Sequence, residues 1–253
     1  MIVTILGSGT SGGIPMIGCT CPVCLSDDLR DKRLRSSILI HTHGKYFVID
    51  AGPDFRQQML RERVHQLDAI VFTHQHRDHT AGLDDIRAYN FFQGNPMDIY
   101  ASAEVEASLR KEYHYVFEHG SYPGLPEMRL FNITNTPFYI DAVRFTPVEV
   151  KHYHLSVFGF RVNNFTYITD ANHIPDAELD KIVGTDILII NALRKERHIS
   201  HFSLDEALDM IGRIRPRKAY LTHISHQMGR HADVSLQLPD NVELAYDGLQ
   251  IEL

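Results

Sequence analysis

The sequence has very few cysteines: three in 253 residues, all within six positions, as Cys19, Cys21 and Cys24. Disulfide-stabilised secreted domains carry more cysteines, spread along the chain, so a disulfide framework is excluded. In a reduced compartment, a short cluster of this kind is typical of metal binding. We therefore expect the three thiols to act together as ligands of one ion.

Long hydrophobic runs and an excess of positive charge are also missing. No apolar stretch is long enough to cross a bilayer, and the opening MIVTILGSG lacks the basic and apolar segments of a secretory leader. We therefore expect a cytoplasmic protein without membrane partners. Lys and Arg number 25 against 32 Asp and Glu, a net charge of -7, which argues against nucleic-acid binding through a general basic surface.

The pattern of apolar residues predicts a mixed α/β fold. Short runs rich in Val, Ile, Phe and Tyr predict strands. A helix is predicted after Ser102, ending before Gly120, and another after Ser203, where Glu206 completes a capping box. Strands come first as meanders and then alternate with helices, in both halves of the chain. This order predicts one domain over residues 1–253, with two mixed sheets and helices outside.

The sharpest motif is the segment AIVFTHQHRDHTAGLDD. A predicted strand ends at Thr73, and a helix is predicted to begin near Ala81. Between them lie four candidate ligands: His74, His76, Asp78 and His79. Residues two apart in extended backbone point to the same side, so His74 and His76 can share one ion. Imidazoles mixed with carboxylate favour a hydrolytic centre with two ions.

The H-x-H-x-D-H run, with VIDAG upstream, resembles the metallo-β-lactamase superfamily. The resemblance implies an αββα four-layer sandwich with the site at one edge, and a structural role for Asp50. It implies a first ion held by three histidines: His74, His76 and His152. It implies a second ion held by three further ligands, Asp78, His79 and His223, with Asp170 bridging the two.

The third histidine ligand is ambiguous, because VKHYHLSVFGF contains both His152 and His154. The two share a face of an extended strand. The offset from His152 to the following glycine matches the superfamily pattern, which favours His152. His154 is then a residue of the site wall or of the surface.

The opening GSGTSGG fits the G-x-G-x-x-G pattern of a dinucleotide-binding turn. That turn requires a helix directly after the glycines, and Gly13, Pro15 and Gly18 make a poor helix. We instead expect a tight loop near the metal edge. Its backbone N–H groups either face a substrate phosphate or simply close a turn.

The cysteine cluster needs a fourth ligand to form a tetrahedral zinc site. One branch of the superfamily pairs such a cluster with a histidine just after the last active-site histidine, and LTHISHQ supplies His226 there. The resemblance thus implies a structural zinc on Cys19, Cys21, Cys24 and His226. This branch contains phosphoribosyl 1,2-cyclic phosphate phosphodiesterases, and GCTCPVC, THQHRDH and the closing YDGLQI resemble them as well.

The resemblance implies hydrolysis of a small cyclic phosphodiester, such as phosphoribosyl 1,2-cyclic phosphate, by attack of a metal-bridging hydroxide. The implied active-site ions are two divalent metals, Mn or Zn and possibly Ni. His201, just before the helix cap, resembles a histidine that sits near the substrate phosphate, so we assign it and Asp78 as catalytic residues. The alternative for His201 is an ordinary surface histidine. The resemblance also suggests a homodimer.

The sequence is also compatible with other functions. A tRNA 3′-end endonuclease needs a basic arm to hold its substrate, and no basic insertion is present. A lactonase or thioesterase is a third enzymatic hypothesis, and a non-catalytic metal-binding module is the alternative that is not an enzyme. Near His201, the basic residues Arg194, Lys195 and Arg197 either bind a second phosphate or form an ordinary solvated charge run.

Overall fold

The chain is built on two β-sheets that pack face to face, described here from a computed structural model over residues 1–117 and 124–253. The first six strands in chain order are β1 Ile2–Gly7, β2 Ser37–Thr42, β3 Lys45–Ile49, β4 Ala69–Val71, β5 Met97–Ala101 and β6 Met128–Asn132. The others are β7 Phe138–Ile140, β8 Val143–His152, β9 Leu155–Val162, β10 Phe165–Ile168, β11 Ile187–Asn191, β12 Lys218–Thr222, β13 Val242–Leu244 and β14 Gln250–Glu252.

Each sheet joins an antiparallel meander to a parallel half. In the described residues, the first sheet has the strand order β14-β1-β2-β3-β4-β5-β6, and the second has the order β13-β12-β11-β10-β9-β8-β7. Strands β3 to β6 pair in parallel, as do β10 to β13. Because the carboxyl ends of parallel strands lie at one edge of a sheet, loops from both sheets converge on a common edge.

The helices cover the outer faces of the sheets. They are α1 Phe55–Arg61, α2 Arg77–Thr80, α3 Arg87–Gln93, α4 Ala103–Glu112, α5 His114–Phe117, α6 Asp176–Leu179, α7 Leu204–Ile214 and α8 His231–Ser235. Phe55 of α1 and Leu109 of α4 pack with the outer face of the first sheet, whereas Ile211 of α7 packs with the outer face of the second. The predicted αββα sandwich is therefore confirmed.

The core between the sheets explains the composition of the strands. Phe47 from the first sheet meets Phe145 from the second, with ring centroids 5.6 Å apart and the rings nearly perpendicular. Strand β11 is buried along its whole length because helices cover one of its faces and the first sheet covers the other. A strand buried on both faces reads as a continuous apolar run, as ILII does here.

Helix α7 forms where the sequence predicts it. The Ser203 hydroxyl accepts a hydrogen bond from the Glu206 amide, and the Glu206 carboxylate accepts one from the Ser203 amide at 2.9 Å. This reciprocal cap satisfies donors that the first helical turn leaves without partners. Leu204, Ala207 and Ile211 recur at helical spacing and are buried.

The structure differs from the sequence prediction in two helical regions. A one-turn helix, α2, precedes the predicted start near Ala81 and contains Asp78 and His79, and a 3-10 turn over Leu83–Ile86 then leads into α3. The helix after Ser102 ends at Glu112, because buried Tyr113 leaves helical geometry and donates its hydroxyl to the Thr80 carbonyl. The predicted stop at Gly120 lies outside the described residues. Among the described helices, none has both the length and the apolar character that a membrane crossing requires.

Candidate metal centre

The first group of candidate ligands lies where β4 and β8 end. The ring nitrogens of His74, His76 and His152 all lie within 4.8 Å of one another. The His152 Nδ1–H donates to the carbonyl of Ser200 at 2.8 Å, so the opposite nitrogen of that ring is left for the site. His154 is exposed and lines a neighbouring cleft. The structure therefore places His152, rather than His154, beside His74 and His76.

The second group gathers around Asp170, in the loop after β10. Ligand atoms of Asp78, Asp170 and His223 also lie within 4.8 Å of one another. His79 Nε2 is 3.2 Å from Asp78 Oδ2 and 3.3 Å from Asp170 Oδ2, and His223 Nδ1 is 3.2 Å from Asp170 Oδ2. Asp170 is also grouped with His74, which belongs to the first group. One carboxylate thus stands between the two sets.

Buried Asp50 orients the second group. Its Oδ2 accepts a hydrogen bond from His79 Nδ1 at 2.7 Å, and the carboxylate also accepts from the amide and hydroxyl of Thr73 at 2.9 and 2.8 Å. These contacts turn His79 Nε2 toward Asp78 and fix the chain just before His74. A carboxylate behind a ligating imidazole is a common support for metal ligands.

Two glycines allow α2, the helix that carries Asp78 and His79, to lie close to the segment that follows β3. A Cβ atom on Gly52 would lie 2.0 Å from the carbonyl oxygen of Asp78, and one on Gly82 would lie 2.1 Å from the carbonyl oxygen of Gly52. No side chain fits in either space. The final glycine of the VIDAG motif is therefore required by the contact that seats α2 beside Asp50.

The protonation states of His74 and Asp170 suit cation binding. Burial lowers the pKa of His74 well below its ordinary value, which keeps the ring neutral. Burial also opposes charge on Asp170, but His223 and His79 outweigh it and hold the pKa of this carboxyl well below its usual range. For His79 burial is outweighed by Asp170 and Asp50, which raise its pKa well above the usual value. Metals bind neutral imidazoles and ionised carboxylates, so His74 and Asp170 are in the form that binds a cation, whereas His79 would release a proton when a cation binds.

The cysteine cluster and His226 form a second, separate group of candidate ligands. His226 Nδ1 is 3.3 Å from the Sγ atoms of Cys19 and Cys21 and 3.7 Å from Cys24 Sγ. A tetrahedral zinc with ordinary Zn–S and Zn–N bonds requires an S-to-N separation of about 3.6 Å, so the spacing fits. A hydrogen bond from the Cys24 amide is the main cause that lowers the pKa of Cys21 to about 6, and burial raises the pKa of Cys24 to about 11.

The glycine-rich loop packs between these two groups. The amide of Gly9 donates to the Leu34 carbonyl at 2.8 Å, and the amide of Thr10 donates to the Ile224 carbonyl at 3.0 Å. Residues 13–28 contain no helix, so the dinucleotide-binding turn does not form. The loop closes a turn, in agreement with one of the two expectations for it. Its Thr10 hydroxyl lies 3.2 Å from His223 Nε2, and Ser36 Oγ lies 3.1 Å from His223 Nδ1.

His201 reaches the same edge from the loop before α7. Its Nε2 lies 3.1 Å from Asp170 Oδ1, while its Nδ1 lies 3.0 Å from Ser200 Oγ and 3.2 Å from His198 Nδ1. In the nearby basic run, Arg194 and Arg197 already have partners within the protein. The Arg194 guanidinium donates to the Gln227 side chain at 2.9 Å, and Arg197, 88% exposed, pairs with Glu206. These contacts favour a solvated charge run over a second phosphate site.

Sequence reasoning missed the hydroxyl residues that hold the ligands. Thr10, Ser36 and Thr73 carry no motif, and only their contacts with the histidines reveal their part in the site. Thr73 had one available signal, since it directly precedes His74 at the end of a strand. Thr10 and Ser36 are far from His223 in sequence and had none.

Two sheets between helical layers, with a cluster of histidines and aspartates at one edge, define the metallo-β-lactamase fold. Residues 45–224 match the family model for the beta-lactamase superfamily domain. The chain belongs to this superfamily, and the resemblance found in its sequence is confirmed. The cysteine cluster and His226 lie outside the matched span.

Individual relatives narrow the comparison. The solved structure of a diphosphatase from the PhnP family is 37% identical, covers 100% of this chain and 97% of its own, and superposes with a TM-score of 0.93. Zinc-bound PqqB from Methylobacterium extorquens, at 20% identity, with each chain covered completely and a TM-score of 0.81, shares the fold.

A curated relative carries a different name. The octanoyltransferase of Porphyromonas gingivalis is 38% identical over 249 residues, which are 97% of this chain but 50% of that protein. The chain thus spans about half the length of this relative. The named transferase activity belongs to the whole of that longer protein and does not identify a function for the shared half.

Proposed function

We propose that this chain is a metal-dependent phosphodiesterase that hydrolyses a small cyclic phosphodiester of the phosphoribosyl 1,2-cyclic phosphate type. The observation that carries the proposal is the pair of ligand groups that meet at Asp170. Two adjacent cations are suited to a phosphoryl group because they neutralise charge on its oxygens. The likeness to a PhnP-family diphosphatase supports phosphate chemistry over the hydrolysis of lactones or thioesters.

The residues present fit two divalent ions. Among the described residues, the Nε2 atoms of His74 and His79 are buried without a hydrogen-bond partner, an arrangement that is costly unless a cation binds at these nitrogens. One ion would be held by His74, His76 and His152. The other would be held by Asp78, His79 and His223, with Asp170 between them. When bound, the ions supply an acidified water and charge neutralisation; imidazole with carboxylate suits manganese, zinc or nickel.

His201 is proposed as the residue that protonates the departing sugar oxygen. Its Nε2 faces Asp170 at the centre of the site, which puts this nitrogen within reach of a group bound there. Ser200 and His198 contact its Nδ1 and hold the orientation of the ring. A positioned acid of this kind typically contributes about 10²–10⁴-fold to a rate.

The Cys19, Cys21, Cys24 and His226 group is proposed to hold one structural zinc. Its S-to-N separations support this assignment. Such an ion would tie the N-terminal loop to the segment that begins at His223, since the Ile224 carbonyl already accepts from the Thr10 amide. Zinc at this position would therefore steady the catalytic edge.

The deciding experiment is a panel of substrates on manganese-loaded protein. Phosphoribosyl 1,2-cyclic phosphate, nucleoside 2′,3′-cyclic phosphates, a lactone and a precursor tRNA are assayed beside bis-p-nitrophenyl phosphate. We expect the small diesters to be hydrolysed and the lactone and tRNA to be left intact. Asp78→Ala should abolish turnover, whereas Asp209→Asn on the exposed face of α7 should not. Equal rates of diester hydrolysis for wild type and Asp78→Ala would refute the proposal.

A further inference from the structure

A cleft of about 520 Å³ adjoins the candidate metal centre along the edge of the first sheet. Its inner end is formed by Thr73, His74 and Gln75, directly after β4. Its length follows the carboxyl ends of β5 and β6, from Ser102 to Asn132. The amide of Phe158 in β9 donates to the Thr73 carbonyl at 3.0 Å, so the facing sheet closes this inner end. The cleft therefore adjoins the candidate ligands at His74, which lines it and is grouped with Asp170.

The lining has the character of an organic ligand site. Its floor includes the buried side chain of Ile133 and the half-buried side chains of Leu155 and Phe158. Ligand sites of this size are typically apolar at the base, with a few polar groups that fix orientation. A ring system bound here would lie on the aromatic face or edge of Phe158.

Several polar side chains that line the cleft have no hydrogen-bond or ion-pair partner within the described residues. In the described part of the chain, the side chains of Gln75, Glu104, Asn132 and His154 form no hydrogen bond or ion pair. Other rim groups are already engaged: Glu149 accepts from Lys151 at 3.0 Å and from Ser156 at 2.8 Å. The unengaged set offers amide and imidazole groups to a neutral ligand.

The charge of the rim disfavours an anion. Glu104 and Glu149 are the carboxylates that line the cleft, and no Lys or Arg among the described residues lines it. Lys151 pairs with Glu149 at 3.0 Å, so Glu104 is the carboxylate that a second phosphate would meet without a neutralising partner. A neutral group rich in hydroxyl and amide functions would meet matching donors and acceptors.

We propose that this cleft binds the uncharged sugar of the diester, together with any base attached to it, while the phosphate lies at Asp170. The proposal rests on the proposed phosphodiesterase function and extends it to specificity. Gln75 and Asn132 would hydrogen-bond the base or sugar, Phe158 would contact the ring, and Glu104 would repel substrates with an additional phosphate. A phosphoribosyl substrate would therefore direct its remaining phosphate away from this cleft.

The test uses two substrates that differ by one phosphate: p-nitrophenyl thymidine 5′-phosphate and the same compound phosphorylated on the 3′ oxygen. On the manganese-loaded full chain, we expect kcat/KM for the first to exceed that for the second by about tenfold, the effect of roughly 1.4 kcal/mol of unfavourable charge contact. Gln75→Ala and Asn132→Ala should each raise KM for the first by about three- to tenfold, as expected for one lost hydrogen bond, with kcat within about twofold.

Matched controls separate the cleft from general effects. Glu104→Lys should narrow the preference between the two substrates by at least about threefold, whereas Glu127→Lys, the same charge change just before β6, should not. Asn95→Ala, an exposed change before the N-terminal end of β5 and so opposite the cleft, should leave KM unaltered. An unchanged preference in Glu104→Lys, or unchanged KM in both alanine variants, would overturn the proposal.

The two proposals fail in different ways. Hydrolysis of bis-p-nitrophenyl phosphate without any effect of the cleft variants would refute the cleft and leave the phosphodiesterase standing. If no diester is hydrolysed, calorimetric titration with thymidine 5′-phosphate decides the cleft alone. Weaker binding in Gln75→Ala and Asn132→Ala than in Asn95→Ala supports it, and equal binding refutes it.

Discussion

His79 donates its Nδ1 proton to Asp50 Oδ2 across 2.7 Å, and neither side chain is exposed to solvent. The same carboxylate accepts from Thr73, the residue before His74. Asp50 thereby sets the direction of one candidate ligand and the position of another. Asp50 therefore orients the candidate metal centre without being one of its candidate ligands.

Asp50→Asn should weaken metal binding while the protein stays folded. The amide has only one acceptor oxygen, so it cannot accept from the Thr73 amide, the Thr73 hydroxyl and His79 together, and the direction of the His79 ring is no longer fixed. Loss of a supporting carboxylate typically costs about 10–100-fold in metal affinity. Titration with manganese measures the effect, and Asp209→Asn on the surface of α7 is the control. Unaltered affinity would refute the supporting role.

His152→Ala and His154→Ala should differ sharply, although the two residues are close in sequence. His152 lies in the first ligand group, so its loss should remove about one equivalent of bound metal and most activity. His154→Ala should retain the metal and change KM at most. Metal analysis of both purified variants decides the assignment. Equal metal loss in both would contradict it.

His226→Ala should remove about one equivalent of zinc and lower the melting temperature, because structural zinc contributes folding free energy. The remaining ions should stay near the wild-type count. His65→Ala, at an exposed histidine far from any candidate ligand, is the control. A variant with full zinc and an unchanged melting temperature would show that the thiols do not hold a metal with His226.

His231 should make stability depend on pH. Burial lowers its pKa to about 4, and its Nδ1 lies 3.2 Å from the guanidinium of buried Arg33. The unfolded chain takes up this proton near the ordinary value of 6.5, and the folded chain does not until pH falls to about 4. Stability is therefore lost as pH falls through this window, by at most about 3 kcal/mol, since one pKa unit is worth about 1.4 kcal/mol.

The measurement compares melting temperatures of wild type and His231→Asn between pH 6.5 and 4.5. The variant should lose less stability on acidification than the wild type, even if it is less stable at neutral pH. His65→Asn should follow the wild-type slope. Parallel curves for wild type and His231→Asn would refute the contribution.

Local signals in the sequence predicted those parts of the structure that local chemistry determines. The cap of α7 at Ser203 and the strand-end cluster at His74 follow from spacing alone, and the family pattern supplied His223 and His226. The start of α2 at Arg77 was missed because it depends on the contact of Gly52 with the Asp78 carbonyl. The contacts of the Thr10 and Ser36 hydroxyls with His223 join segments that are distant in sequence, so no local sequence pattern predicts them.

The four residues from His223 to His226 carry a candidate ligand of each metal group, and the backbone between them fixes how far apart those ligands stand. A designer who grafts this reactive edge onto another sandwich of the same architecture must bring the N-terminal loop with it. Without that loop, the graft would contain His223 but would lack the contacts that fix the direction of its ring.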